Sequence, residues 1–112
     1  MANLQIREKY PSEDIPWDLL LMADPSKEAI NKYLDNGEIY LALIGKELVG
    51  VSVITRELDV AELKNLAVTE KHRGKGIGKR LIQHAIEQAK SNKASHIEVG
   101  TGNSSYLQLA IY

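Results

Sequence analysis

Leu66-Ala-Val-Thr-Glu-Lys-His-Arg-Gly-Lys-Gly-Ile-Gly-Lys-Arg80 is the stretch on which the fold and the chemistry of this chain turn. An apolar, strand-like start gives way to a polar loop with Gly74, Gly76 and Gly78 at alternate positions, and the residues that follow have helical periodicity. Glycines let backbone N–H groups converge with no Cβ in the way, and a helix N-terminus carries about half a positive charge. An anion held there is therefore both hydrogen-bonded and electrostatically favoured. Five cations, Lys71, Arg73, Lys75, Lys79 and Arg80, surround the glycines. The ligand that suits this pattern is a phosphate or a diphosphate. A magnesium-dependent triphosphate loop needs G-x-x-x-x-G-K-[ST], but Gly74 to Gly78 is one residue short and Arg80 stands where the metal-binding hydroxyl belongs. A dinucleotide fingerprint needs G-x-G-x-x-G directly at a strand end; here the glycines read G-x-G-x-G, five polar residues beyond the strand. A purely structural turn is the remaining alternative, and it would require fewer glycines and fewer cations.

Outward from this segment, the chain reads as alternating short elements. Leu4 to Arg7 alternates as a strand, and Pro16 to Met22 opens a first helix that Asp24-Pro25 breaks. Ser26 offers an N-cap for a second helix through Asp35, with Ala29, Ile30, Tyr33 and Leu34 on one face. Glu38 to Ile44 and Leu48 to Thr55 are strands joined across the short turn at Gly45-Lys46. Ala61 to Val68 is a further strand, Gly76 to Asn92 a helix with Ile77, Leu81, Ile82, Ala85, Ile86 and Ala89 in one stripe, and His96 to Gly100 a strand. Ser105 with Gln108 predicts a capping box for a short last helix reaching Tyr112. The predicted order is β-α-α-β-β-β-α-β-α, a mixed α/β domain over 1–112, and the strand–loop–helix–strand unit predicts that strands 61 and 96 run parallel.

The loop and its surroundings resemble the Gcn5-related N-acetyltransferase (GNAT) superfamily, whose acetyl-CoA loop is [RQ]-x-x-G-x-[GA] between a strand and a helix. Arg73-Gly74-Lys75-Gly76-Ile77-Gly78 fits it, Asn65-Leu66-Ala67-Val68 resembles its leading flank, and the likeness follows the element order from Leu4 to Tyr112. The resemblance implies that backbone amides over Arg73, Gly74, Lys75, Gly76, Gly78 and Lys79 hold the diphosphate of acetyl-CoA, with Arg73, Lys75, Lys79 or Arg80 adding charge. It implies a bulged strand that splays from its parallel neighbour, so that the pantetheine arm pairs with backbone near Leu66 and Val68. The Leu66 amide then stabilises the oxyanion formed at the thioester. Glu62, four residues earlier, matches the position of a carboxylate general base; a solvated strand-face acid paired with Lys64 is the competing reading. Tyr112 matches the tyrosine that protonates the departing thiolate, against the alternative of a helix residue packed on the sheet. Asn103 matches a coenzyme-contacting asparagine, or else a turn residue. Family members continue past this tyrosine through a turn and two more strands, so the resemblance leaves a C-terminally incomplete GNAT-like sheet lacking the last two strands. Its open edge at strand 96 is one that a second copy of the chain can cover.

Composition narrows the remaining classes. With 44% hydrophobic and 26% charged residues the chain can bury a core, which argues against disorder. Zero cysteines exclude disulfides, thiolate nucleophiles and Cys-based zinc sites, and His72, His84 and His96 have no acidic ligand cluster beside them, so no metal is expected. Residues 64–93 hold eight bases and two acids within a chain of net charge −1, which predicts a local anion site rather than a nucleic-acid surface. No apolar run approaches a membrane span and no secretion signal is evident, so a cytoplasmic location is expected. The expected function is transfer of the acetyl group of acetyl-CoA to a primary amine, on a small molecule or a peptide, by direct attack in a ternary complex. A non-catalytic acyl-CoA-binding module and a small nucleotide-phosphate binder are the alternatives. Asp24, Glu28 and Asp35 lie near the expected acceptor entrance, as attractors of a cationic amine or as ordinary surface acids.

Overall fold

The computed structural model of the chain describes residues 3–100 and 106–110. Ten elements follow one another: β1 (Leu4–Glu8), α1 (Trp17–Ala23), α2 (Lys27–Leu34), β2 (Gly37–Ile44), β3 (Glu47–Glu57), β4 (Val60–Val68), a single 3₁₀ turn (Glu70–His72), α3 (Ile77–Ser91), β5 (His96–Gly100) and β6 (Tyr106–Ala110). The strands form one sheet in chain order, antiparallel except where β4 pairs with β5 in parallel, as the crossover through α3 requires.

The two faces of the sheet are covered by different helices. Leu41, Val51, Val53 and Ala67 pack with Leu19 and Leu20 of α1 and Ile30 of α2. On the other side Tyr40, Ile54, Ala61 and Leu63 meet Ala85 and Ala89, while Ala42 and Val49 meet Ile77 and Leu81. The α3 stripe read from periodicity is thus the buried one. The Ser26 hydroxyl accepts from the Ala29 N–H at 3.1 Å, so the predicted cap of α2 is formed. A polar ladder also crosses the α3 side: the Tyr40 hydroxyl donates to Glu38 at 3.0 Å, and the Arg56 guanidinium pairs with the same carboxylate. Burial, reinforced by the neighbouring Glu38 carboxylate, pushes the Tyr40 phenol up to about 12.

One element differs from the sequence reading. The helix expected over 105–112 is replaced by β6, antiparallel to β5 with His96 opposite Ala110 and Gly100 opposite Tyr106. A helix of about two turns gains little by itself, whereas the free edge of β5 offers ladder partners, and Tyr106-Leu-Gln-Leu alternates with period two. The same pairing corrects the expectation of an open β5 edge, which is taken by the chain's own β6. Among the described residues no helix is long and apolar enough to cross a membrane.

Candidate functional site

The site begins with one extra residue in β4. Opposite β3, Val53 pairs with Asn65 and Ile54 with Leu63, which leaves Lys64 as a bulge. Pairing with β5 covers only Val60 to Leu63. Beyond the bulge, β4 therefore has a strand on one side only. The orientation of its free groups follows from the ladder. The Thr69 N–H donates to the Val49 carbonyl at 2.9 Å, and antiparallel pairing alternates bonded and non-bonded residues. Ala67 and Asn65 thus direct their N–H and C=O toward β3, and Leu66 and Val68 direct theirs to the open side. Arg73 Nε donates to the Val68 carbonyl at 3.2 Å, which leaves the Leu66 N–H and C=O and the Val68 N–H as the unpaired edge.

That edge runs directly into the glycine-rich loop. Gly74 and Gly76 have φ of +77° and +84°, conformations that a side chain would strain. Gly76 is the N-cap of α3 and supplies no side-chain cap; the first bond of the helix is Arg80 N–H to the Gly76 carbonyl, at 3.1 Å. The N–H groups of Ile77, Gly78 and Lys79 are consequently orphaned at a helix N-terminus. Leu66, Ala67 and Val68, the loop residues Arg73, Gly74 and Gly76, and Met22 and Ala23 at the end of α1 line one open cleft of about 340 Å³, with Gly78 at its helical end. Its walls combine apolar side chains with convergent N–H donors, a combination that holds an elongated ligand with an anionic end.

The structure sorts the sequence-predicted residues. Leu66, Val68, Arg73, Gly74, Gly76 and Gly78 come together in this cleft. Lys75 and Lys79 are exposed beside it rather than in its wall, and Arg80 lines a separate groove with Ile6, Gln83, His84 and Glu87. Glu62 lies outside the cleft: its carboxylate is 2.7 Å from Lys64 Nζ, and both line a second cavity under α2. Asn103 and Tyr112 fall outside the described residues. Among the described residues no three His, Asp or Glu side chains converge as a metal site would need.

Three polar residues at the site have contacts that no motif announces. His72 is buried in the 3₁₀ turn and lines the cleft; its Nδ1 lies 2.9 Å from the Thr69 hydroxyl, and its Nε2 lies 3.9 Å from the Glu47 carboxylate. The turn that aims the loop is tied to the β2–β3 hairpin by Lys71, whose Nζ lies 3.2 Å from the same Glu47 carboxylate. Asn65, 4% exposed, donates from Nδ2 to the Leu20 carbonyl at 3.0 Å and to the Tyr33 hydroxyl at 2.9 Å, fastening α1 and α2 to β4 where it leaves β5. Burial pushes the Tyr33 phenol up, and its hydroxyl lies 3.4 Å from Asp24, to which it donates. A lone buried Asn or His has no spacing that marks it, so only the fold reveals these roles.

Comparison with known proteins bears on this geometry. Residues 2–111 match the model of the acetyltransferase (GNAT) family. A curated protein of Bacillus subtilis (strain 168), the uncharacterized N-acetyltransferase YvbK, is 46% identical over 113 residues, a match spanning 100% of this chain and 73% of that protein. A solved GNAT family acetyltransferase from Elizabethkingia anophelis with acetyl-CoA bound superposes with a TM-score of 0.88 at 42% identity, over 94% of this chain and 69% of its own. A Bacillus subtilis acetyltransferase in complex with CoA gives 0.82 at 47% identity, over 91% of this chain and 68% of its own.

Proposed function

The chain belongs to the acetyltransferase (GNAT) family, and we propose that it transfers the acetyl group of acetyl-CoA to a primary amine by direct attack within a ternary complex. The observation that carries this reading is the continuity of the unpaired β4 edge at Leu66 and Val68 with the orphaned N–H groups of the α3 N-terminus, in a single cleft. A pantetheine arm is an extended, amide-bearing chain that ends in a diphosphate. It pairs with such an edge as an added strand does, while its diphosphate takes the N–H groups of the loop. Solved relatives with acetyl-CoA or CoA bound support the same assignment.

In this reading the Leu66 N–H, directed to the open side, donates to the thioester oxygen and stabilises its developing negative charge. The amine nitrogen forms a bond to the acetyl carbon as the carbon–sulfur bond breaks. Glu62 takes the proton that the amine loses, and Tyr112 returns one to the thiolate. Arg73, already latched to the end of β4, lies beside the diphosphate; Lys75 and Lys79 add longer-range attraction from their exposed positions, and Asn103 adds a contact to the coenzyme. Residues 1–112 act as one domain. Calorimetry with coenzyme A and with ATP, followed by turnover of acetyl-CoA with a panel of amines, tests the proposal. Coenzyme A is expected to bind in the micromolar range, more weakly as salt rises, and in preference to ATP. Equal binding of the two would overturn the assignment, and coenzyme A binding without turnover of any amine would favour an acyl-CoA-binding module instead.

A further inference from the structure

Tyr33 and Lys32 lie on the face of α2 that looks onto the ends of β3 and β4, and with Arg56, Glu57, Glu62 and Lys64 they line much of the second cavity, which is open to solvent and of about 320 Å³. It is linked to the β4 edge through one hydrogen bond and a shared strand. Tyr33 accepts from Asn65 at 2.9 Å, Asn65 precedes Leu66, and Glu62 lies on the same strand. The charges around the cavity are of both signs. Glu62 and Lys64 stand 2.7 Å apart, and the Arg56 guanidinium pairs with Glu38. Lys32 and Glu57, both exposed, take no ion pair among the described residues. The acids that would draw a polycation are elsewhere. Asp24, Glu28 and Asp35 do not line the cavity, and the Asp24 carboxylate already accepts from the Ser26 N–H at 3.1 Å and faces the Tyr33 hydroxyl.

We propose that this cavity is the acceptor site of the acetyl transfer described above, on which the inference rests, and that its acceptor is a small amine that also carries a carboxylate, of amino-acid size. Such a molecule matches both signs, with its ammonium toward Glu62 and Glu57 and its carboxylate toward Lys32. A polyamine offers no anionic group to Lys32 and brings further positive charge against it, where like charges repel. The volume is at the small end for ligand pockets.

The test uses the whole chain. Calorimetry first establishes coenzyme A binding. The kcat/KM for acetylation is then measured for L-alanine, L-leucine and L-glutamate, for the carboxamide of each, and for spermidine. Each free acid is expected to exceed its own carboxamide by tenfold or more, and Lys32→Glu is expected to bring that ratio near one and to raise turnover of spermidine, with coenzyme A affinity unchanged. Equal use of acids and carboxamides, a preference for spermidine, or a ratio insensitive to Lys32→Glu would overturn the proposal. If coenzyme A binds but nothing is acetylated, the amide resonances of Glu62 and Lys64 decide. Saturable shifts with L-glutamate and not with its carboxamide support the site, and their absence refutes it. Failure to bind coenzyme A would refute the acetyltransferase reading itself, a separate outcome.

Discussion

Replacing Gly78 by valine separates the binding role of the loop from its structural one. An ideal Cβ at Gly78 meets only Leu66 Cδ2 at 3.8 Å and Val68 Cγ2 at 3.9 Å, ordinary van der Waals contacts, and the residue lies within helical backbone. Valine is a better helix former than glycine by roughly 0.4 kcal/mol, which offsets the fitting of its two Cγ atoms beside Leu66 and Val68, so the variant is expected to fold and to melt close to the parent. The new side chain nevertheless stands against Leu66 and Val68 at the helical end of the cleft, where an anion must come within hydrogen-bond distance of backbone. Loss of one or two charge-assisted hydrogen bonds, each worth about 1.5–3 kcal/mol, weakens coenzyme A by about 3 kcal/mol, or roughly a hundredfold. Gly76→Ala provides the contrast. Its Cβ meets nothing within 4 Å, but φ of +84° costs a side chain about 1–2 kcal/mol, so that variant should lose both stability and binding. The assay is paired calorimetry and thermal melting on both variants. If Gly78→Val binds coenzyme A within threefold of the parent while folding normally, the diphosphate does not sit at this helix end and the placement of the cosubstrate is wrong.

Asn65→Ala removes two donors that tie α1 and α2 to β4, and should cost about 2 kcal/mol in urea unfolding; a loss below about 0.5 kcal/mol would mean that the anchor is dispensable. Glu13 accepts twice from Arg7, each bond 2.8 Å, and these hydrogen bonds together with one from the Tyr10 N–H hold its carboxyl at about 2, below its ordinary 4.5. A depressed carboxylate contributes stability that is present above its unfolded pKa and is lost as pH falls from about 4.5 toward 2. Glu13→Gln should accordingly lower the melting temperature at pH 7 and flatten its decline over that acid range, which melts at stepped pH will show. Tyr112→Phe should lower kcat by roughly 10- to 10⁴-fold with little change in coenzyme A affinity if Tyr112 protonates the thiolate; an unchanged kcat would remove that role.

Local chemistry decided how much of this was legible. The Ser26 cap, the turn at Gly45-Lys46 and the α3 stripe are each written within a few neighbouring residues, and each forms where the sequence places it. The cleft was legible as well, because a glycine-rich loop after a strand combines short-range signals. Segment 106–110 misled because a capping pair and an apolar residue suffice to predict a helix, while the deciding fact, a free ladder edge on β5, is tertiary. Lys75 and Lys79 illustrate the same limit: proximity in sequence to the glycines put them in the loop, but both side chains are exposed, Lys75 in the loop and Lys79 in the first turn of α3. The roles of His72 and Asn65 could not be read in the sequence, since Asn65 acts through Leu20, 45 residues away, and only the fold buries His72 against the cleft.

The bulge at Lys64 shows why these features belong to one design. Ala61 and Leu63 pack toward α3, and so do Leu66 and Val68. Strict alternation from Leu63 would have turned Leu66 to the opposite face, so the inserted residue is what keeps the α3 core continuous along β4. The same insertion brings Asn65 to the side of α1 and α2, where its amide finds Leu20 and Tyr33. Pairing with β5 stops at Leu63, as the added local twist of a bulge favours. The helix core, the anchor of the α1–α2 wall and the opening of the strand edge therefore depend on a single extra residue. Lys64 itself faces Glu62 in the second cavity while the freed edge lines the first. The two cavities are thus lined by stretches of one strand that meet at the bulge.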